Sequence, residues 1–152
     1  MSELSLTSPD FEEGGEIPKK CGYKHGNVEP ELSLEHTPSG TKAIAIVMDD
    51  PDAMKAVGKV WVHQIWYSSW SIGDMTEYDS SEFDEMIYGK NDFGELGYGG
   101  PAPPDGRHTY VFKAYALDYT PELKEGYSKQ ELEDAMKGHI LAEAKLTGTF
   151  VP

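Results

Sequence analysis

Two histidines, two aspartates and a tyrosine stand at or near the ends of apolar, strand-like runs, beside a loop of glycine and proline. Asp50 and Asp52 follow the run 43–48, AIAIVM, with Pro51 between them. His63 lies inside the run 60–67, VWVHQIWY, where the two-residue period of a strand gives it a face shared with Trp61, Ile65 and Tyr67. His108 precedes the run 110–117 and shares a face with Tyr110 and Phe112. Upstream lies the stretch 91–110, NDFGELGYGGPAPPDGRHTY, which holds five glycines and three prolines. Gly99 and Gly100 permit positive φ and a close approach to the backbone. Pro101, Pro103 and Pro104 stiffen the chain that leads to His108.

These residue types suit an anion site. His63 and His108 can donate N–H bonds to phosphate oxygens, more strongly when protonated. Backbone N–H groups around Gly99 and Gly100 could form an anion nest. Asp50 or Asp52 would orient an imidazole, fixing which ring nitrogen faces the ligand. Neutral imidazoles lose charge assistance, so the affinity for bare phosphate should fall at high pH.

Each residue taken alone has a plainer reading. A histidine in an apolar strand is more often a satisfied core residue, and an aspartate after a strand is often a turn former. Tyr110 packs a strand with a wet hydroxyl in the simplest view. The combination carries the case. GYGG is not a phosphate-binding P-loop, and no serine nucleophile elbow or activated thiol accompanies the His and Asp set. No close histidine or cysteine pair supports zinc. The reading is a non-catalytic site with no metal and no cofactor; a hydrolase-type enzyme is the weakest alternative.

Bulk properties narrow the partners. The chain has 152 residues and a formal charge of −14, which disfavours nucleic acid and anionic membrane surfaces. Arg107 is the sole arginine, so a set of arginine clamps on phosphate is excluded. A single cysteine, Cys21, excludes an intrachain disulfide and reads as a small buried hydrophobe. The first residues lack a basic and apolar leader, and no apolar run has transmembrane length. The expectation is one domain, 1–152, in the cytoplasm, without stable membrane insertion.

The elements that must position these residues are mostly strands. The runs 43–48, 60–67, 110–117 and 145–151 read as strands, with shorter ones near 4–6 and 32–34. Ser128 and Glu131 have capping-box spacing and open a helix that Gly138 can end. The run 139–144 reads as a second helical piece, and the acidic segment 68–90 as irregular with a helical turn at 81–86. Strands without alternating helices favour a mainly β fold, an antiparallel sheet or sandwich.

Four segments then become recognisable. DDPDA at 49–53, WVH at 61–63, GKNDFG at 89–94 and GYGGPAPPDGRHTY at 97–110 resemble the phosphatidylethanolamine-binding protein family, closest to its bacterial and archaeal Raf-kinase-inhibitor-like branch. The likeness runs in order over nearly the whole chain. It implies an antiparallel β-sandwich with small peripheral helices and a pocket for phosphate-like anions and phosphoethanolamine head groups. Carried across by position, that pocket comprises Asp50, Asp52, His63, Gly100, Pro101, His108 and Tyr110. Met54 stands where the family usually has proline, Gln64 where an aromatic is common, Ala102 for a frequent cysteine and Thr109 for arginine. The resemblance also offers an alternative function, inhibition of a protease or kinase through surface contacts, for which the acidic segment 74–85 is the candidate surface.

Overall fold

The computed structural model describes residues 3–69, 77–79 and 86–152. Its centre is β4, Ala43–Asp50, in which every residue is buried. That continuous apolar run is what a strand covered on both faces requires. β5, Trp61–Ser69, and β8, His108–Leu117, flank it antiparallel. β9, Ile140–Phe150, pairs antiparallel with β8, and β7, Ile87–Tyr88, with β5. β2, Gly15–Glu16, closes the far edge as a short parallel partner of β9. The order of this six-stranded sheet is β2-β9-β8-β4-β5-β7.

A second sheet, in the order β1-β3-β6, is built from Ser5–Thr7, Ser33–Glu35 and Glu77–Asp79, all antiparallel. It faces the larger sheet through Leu4, Leu6, Leu32 and Leu34, which join one core with Ile44, Ile46, Met48, Phe112 and Leu146. The other face of the large sheet presents Ala43, Ala45, Val47 and Leu117 to α2, Lys129–Met136, whose Leu132 and Met136 pack there. Alternate residues of β4 thus serve two cores. The chain is an antiparallel β-sandwich with small peripheral helices, as its strand patterning leads one to expect.

α2 begins as its sequence says it should: the Ser128 hydroxyl accepts from the Glu131 amide, and the Glu131 carboxylate from the Ser128 amide. The adjacent run 139–144 is not helical, contrary to expectation. From Ile140 on it is the first half of β9, paired with the C-terminal end of β8 across a register shift between Ala116 and Leu117. Its Leu, Ala and Glu are good helix formers, but so short a run cannot hold a helix alone, and an open ladder along β8 outweighs that preference. A short helix that sequence reading did not foresee, α1 at Ala53–Val57, follows Pro51 and ends on Gly58 at φ 77°. The helical turn expected at 81–86 falls on residues that, apart from Met86, lie outside those described. No helix among the described residues is long and apolar enough to cross a membrane.

Candidate functional site

The ends of β4, β5 and β8 meet where their partners run out. Between Met48 and Asp49 the β4–β5 register shifts: Met48 faces Gln64 but Asp49 faces Val62, so His63 is the extra residue of a β-bulge. Strand alternation alone would place His63 with Ile65 and Tyr67, which pack in the core beneath α2. The bulge breaks that phase. His63 turns instead towards Trp61, Asp50 and Tyr110, across a small cleft. Re-aiming one side chain beside a site is a common use of a bulge.

The cleft has a volume of about 190 Å³, room for a group the size of roughly six waters. Asp50, His63, His108 and Tyr110 line its polar side, and all four are buried. Ala53, Ala56 and Val57 of α1, with Trp61, Phe93, Ala102 and Pro104, form an apolar wall.

The two imidazoles differ in state. His63 Nδ1 lies 2.6 Å from the Gly99 carbonyl. A carbonyl only accepts, so Nδ1 carries the proton, and Nε2 of the neutral ring is left as an acceptor. Burial lowers the His63 pKa, against the opposing pull of that carbonyl and of Asp50. His108 is held at both nitrogens: Nδ1 lies 2.6 Å from Asp50 Oδ2 and Nε2 lies 2.6 Å from Asp105 Oδ1. Two carboxylate partners require two N–H donors, which is the imidazolium. Burial opposes that charge, but the hydrogen bonds to Asp50 and Asp105 outweigh it and raise the His108 pKa. His63 is thus the neutral ring and His108 the charged one.

Between them stands Tyr110, its ring edge-on to His63 with centroids 5.1 Å apart. Among the described residues its hydroxyl is buried with no hydrogen-bond partner, as is the Trp61 indole N–H. The Ala102 backbone comes near the phenol without meeting hydrogen-bond geometry. Burial, then the Asp50 charge, push the Tyr110 pKa upward, so the phenol remains a neutral donor. Buried donors without acceptors are uncommon and costly, and two at one cleft mark a place for an acceptor.

The glycine loop does not act as the nest expected of it. The Gly99 amide donates to the His63 carbonyl at 2.9 Å, and the Gly100 amide to Asn27 Oδ1 at 2.7 Å. Neither N–H is free for an anion. Neither glycine has positive φ; both are needed for close approach. A Cβ on Gly99 would strike the Phe93 ring, and one on Gly100 the Cys21 carbonyl oxygen. The Pro101 carbonyl accepts from the Tyr23 amide at 2.9 Å. Gly100 and Pro101 therefore lock the loop onto the segment around Cys21 and lie behind the cleft, off its lining.

Asp52 also stands off the lining. Its Oδ2 accepts from the Thr109 amide at 2.8 Å and ties the turn after β4 to the start of β8. Asp50 fills both roles open to it: Oδ1 accepts from the Asp52 amide at 2.9 Å, as a turn former, while Oδ2 orients His108. Gln64 is buried and donates to Glu29, away from the cleft. Met54 is exposed on α1, beside the apolar wall. Sequence reading missed Asp105 and Phe93. Asp105 is three residues before His108, in a Pro-Pro-Asp-Gly turn that aims it back, so its spacing was an available signal. Phe93 lies in the GKNDFG segment already singled out, but its place in the wall is set by Asn91, which accepts from the Phe93 amide at 3.0 Å. The acidic segment 74–85 lies outside the described residues except for the strand Glu77–Asp79.

Comparison with known proteins gives a consistent set of likenesses. A family model described as phosphatidylethanolamine-binding protein matches residues 7–151. A UPF0098 protein of Chlamydia muridarum is 40% identical over 149 residues, covering 97% of this chain and 98% of that protein. A UPF0098 protein of Methanothermobacter thermautotrophicus is 37% identical over 151 residues, covering 97% and 98%. Among solved structures, the phosphatidylethanolamine-binding protein homolog CT736 of Chlamydia trachomatis superposes with a TM-score of 0.84 at 35% identity, covering 98% of this chain and 97% of the other. YbcL of E. coli, described as a member of the mammalian family, gives a TM-score of 0.85 at 25% identity, covering 98% of each chain.

Proposed function

Because the chain belongs to the phosphatidylethanolamine-binding protein family, we propose that it is a non-catalytic binding protein whose cleft takes a small phosphorylated head group, of phosphoethanolamine type. The observation that carries this reading is the Tyr110 hydroxyl, buried without an acceptor among the described residues between a neutral and a charged imidazole. A phosphate oxygen would accept from it, and the cleft volume suits a head group and not a whole lipid. The apolar wall of α1 and Phe93 would face the carbon part of such a ligand.

The chemistry supports binding over turnover. Each imidazole is bonded to a carbonyl or a carboxylate, not to a serine, threonine or cysteine that it could activate. Cys21 is fully buried, and burial together with Asp10 raises its pKa to about 11, far from a reactive thiolate.

Calorimetric or NMR titration with phosphoethanolamine tests the reading. Tyr110→Phe should weaken binding about tenfold, the worth of one hydrogen bond to a charged acceptor. The same change should leave the melting temperature of the free protein unchanged or higher, since it deletes an unsatisfied hydroxyl. Undiminished affinity in Tyr110→Phe would remove the hydroxyl from the site.

A further inference from the structure

We propose that the chain holds a second binding site, on the far side of the proline strip that walls the cleft, and that it takes a small apolar carboxylate such as an aromatic acid. This site stands apart from the binding function proposed above and does not rest on it.

The site is a pocket of about 140 Å³, room for roughly five waters, between the strip 101–104 and the end of β9. Pro101, Pro103 and Pro104 form one wall and Phe150 the other, with the exposed Lys24 and His25 at the rim. Both walls are held before any ligand arrives. Each proline fixes its own φ, and the Pro101 carbonyl accepts from the Tyr23 amide at 2.9 Å. Phe150 is buried, its ring so close to Gly22 that a Cβ there would strike it. The His25 amide donates to the Gly22 carbonyl at 3.0 Å, and the His25 ring stands 6.4 Å from that of Phe150. A pocket already shaped in this way costs a ligand little ordering.

The chemistry of the lining selects the ligand. Three other clefts each include an acidic side chain: Asp50 in the one between the histidines, Glu143 along β8 and β9, Asp92 and Glu131 beside α2. The proline pocket has no Asp or Glu in its lining, although the chain carries 27 acidic residues against 13 Lys and Arg. Neither the Lys24 ammonium nor the His25 ring nitrogens have a hydrogen-bond or ion-pair partner among the described residues. An unpaired ammonium at the rim of an apolar slot suits one negative charge on an apolar body. The carboxylate meets Lys24 and stays in water on its other side, while the ring lies between the prolines and Phe150, where its burial drives binding. A phosphate ester fits less well, because its second charge would meet no second fixed cation. Ala102 and Pro104 line both this pocket and the cleft, but Asp50, His63, His108 and Tyr110 line the cleft alone. The two sites are back to back and can be told apart.

NMR titration with benzoate tests this, with benzyl alcohol as the ring without the charge and acetate as the charge without the ring. Benzoate should shift the amides of His25 and Phe150 saturably, with a dissociation constant on the order of 1 mM for a ligand of that size. Each control should bind about fivefold more weakly or worse. Lys24→Ala should weaken benzoate by about fivefold, whereas Lys19→Ala, which removes an exposed charge outside the pocket, should leave it unchanged. No saturable shift with benzoate would overturn the site. Shifts centred on His63 and Tyr110 would assign benzoate to the cleft and overturn it equally. Benzyl alcohol binding as tightly as benzoate, or equal effects of Lys24→Ala and Lys19→Ala, would overturn the selection of a carboxylate.

Discussion

His63 and His108 face one cleft but carry opposite perturbations. Burial holds His63 neutral, and paired carboxylates hold His108 charged against the same burial. The signs of their contributions to stability follow. His108 has a raised pKa, so its ion pairing stabilises the fold fully below the unfolded value of about 6.5 and fades as pH climbs through the folded value. His63 has a lowered pKa, so its contribution is present above about 6.5 and is lost as pH falls towards its folded value. NMR titration of the ring protons should therefore place the His108 midpoint above, and the His63 midpoint below, that of a free histidine. Midpoints in the reverse order would mean that the charged ring has been misassigned. One consequence alters the expectation drawn from residue types: charge assistance to an anion comes from His108 alone, and His63 offers a lone pair. A donor on the ligand, such as a protonated phosphate oxygen, suits that atom.

At the scale of elements, the site depends on where strands stop and how a loop is pinned. Pro51 ends β4, the bulge at His63 releases β5 from strict alternation, and the loop 97–101 is clamped to the segment around Cys21. The clamp tolerates no side chain at Gly100, where the obstacle is a backbone oxygen that cannot rotate away. Gly100→Ala should cost about 2–3 kcal/mol of unfolding free energy, as read from urea denaturation, and should weaken ligand binding through displacement of the loop. Ser128→Ala should cost about 1 kcal/mol through the lost cap and leave binding unchanged, because α2 packs on the opposite face of the large sheet. Equal losses would mean that the loop is softer than its contacts indicate. The capping box was legible because it is a local pattern, complete within four residues. β9 was half missed because the run 139–144 has no strand pattern of its own and takes its conformation from β8.

For the whole molecule, the formal charge of −14 sets a background that repels polyanions, and the single arginine is spent on Glu16 at the edge of the sheet. Cys21 is enclosed by the same packing that holds the glycine loop, with its carbonyl accepting from the Tyr98 hydroxyl at 2.7 Å. A thiol reagent at neutral pH should therefore modify Cys21 only at the rate of unfolding; rapid labelling of the native protein would contradict the enclosed thiol. The central strands, the mainly β class, the helix start at Ser128 and the residue types of the cleft were determined by the sequence itself. Each of these depends on local periodicity, capping chemistry or turn residues, which need no knowledge of distant neighbours. The tertiary structure alone decided that His63 leaves its strand face, that the Gly99 and Gly100 amides are taken, that Asp52 braces β8 and that Asp105 sits on His108. Those outcomes depend on register between strands and on loops meeting across tens of residues. A hydrogen bond already made elsewhere is invisible in a string of residue types, and it decides which polar groups are left for a ligand.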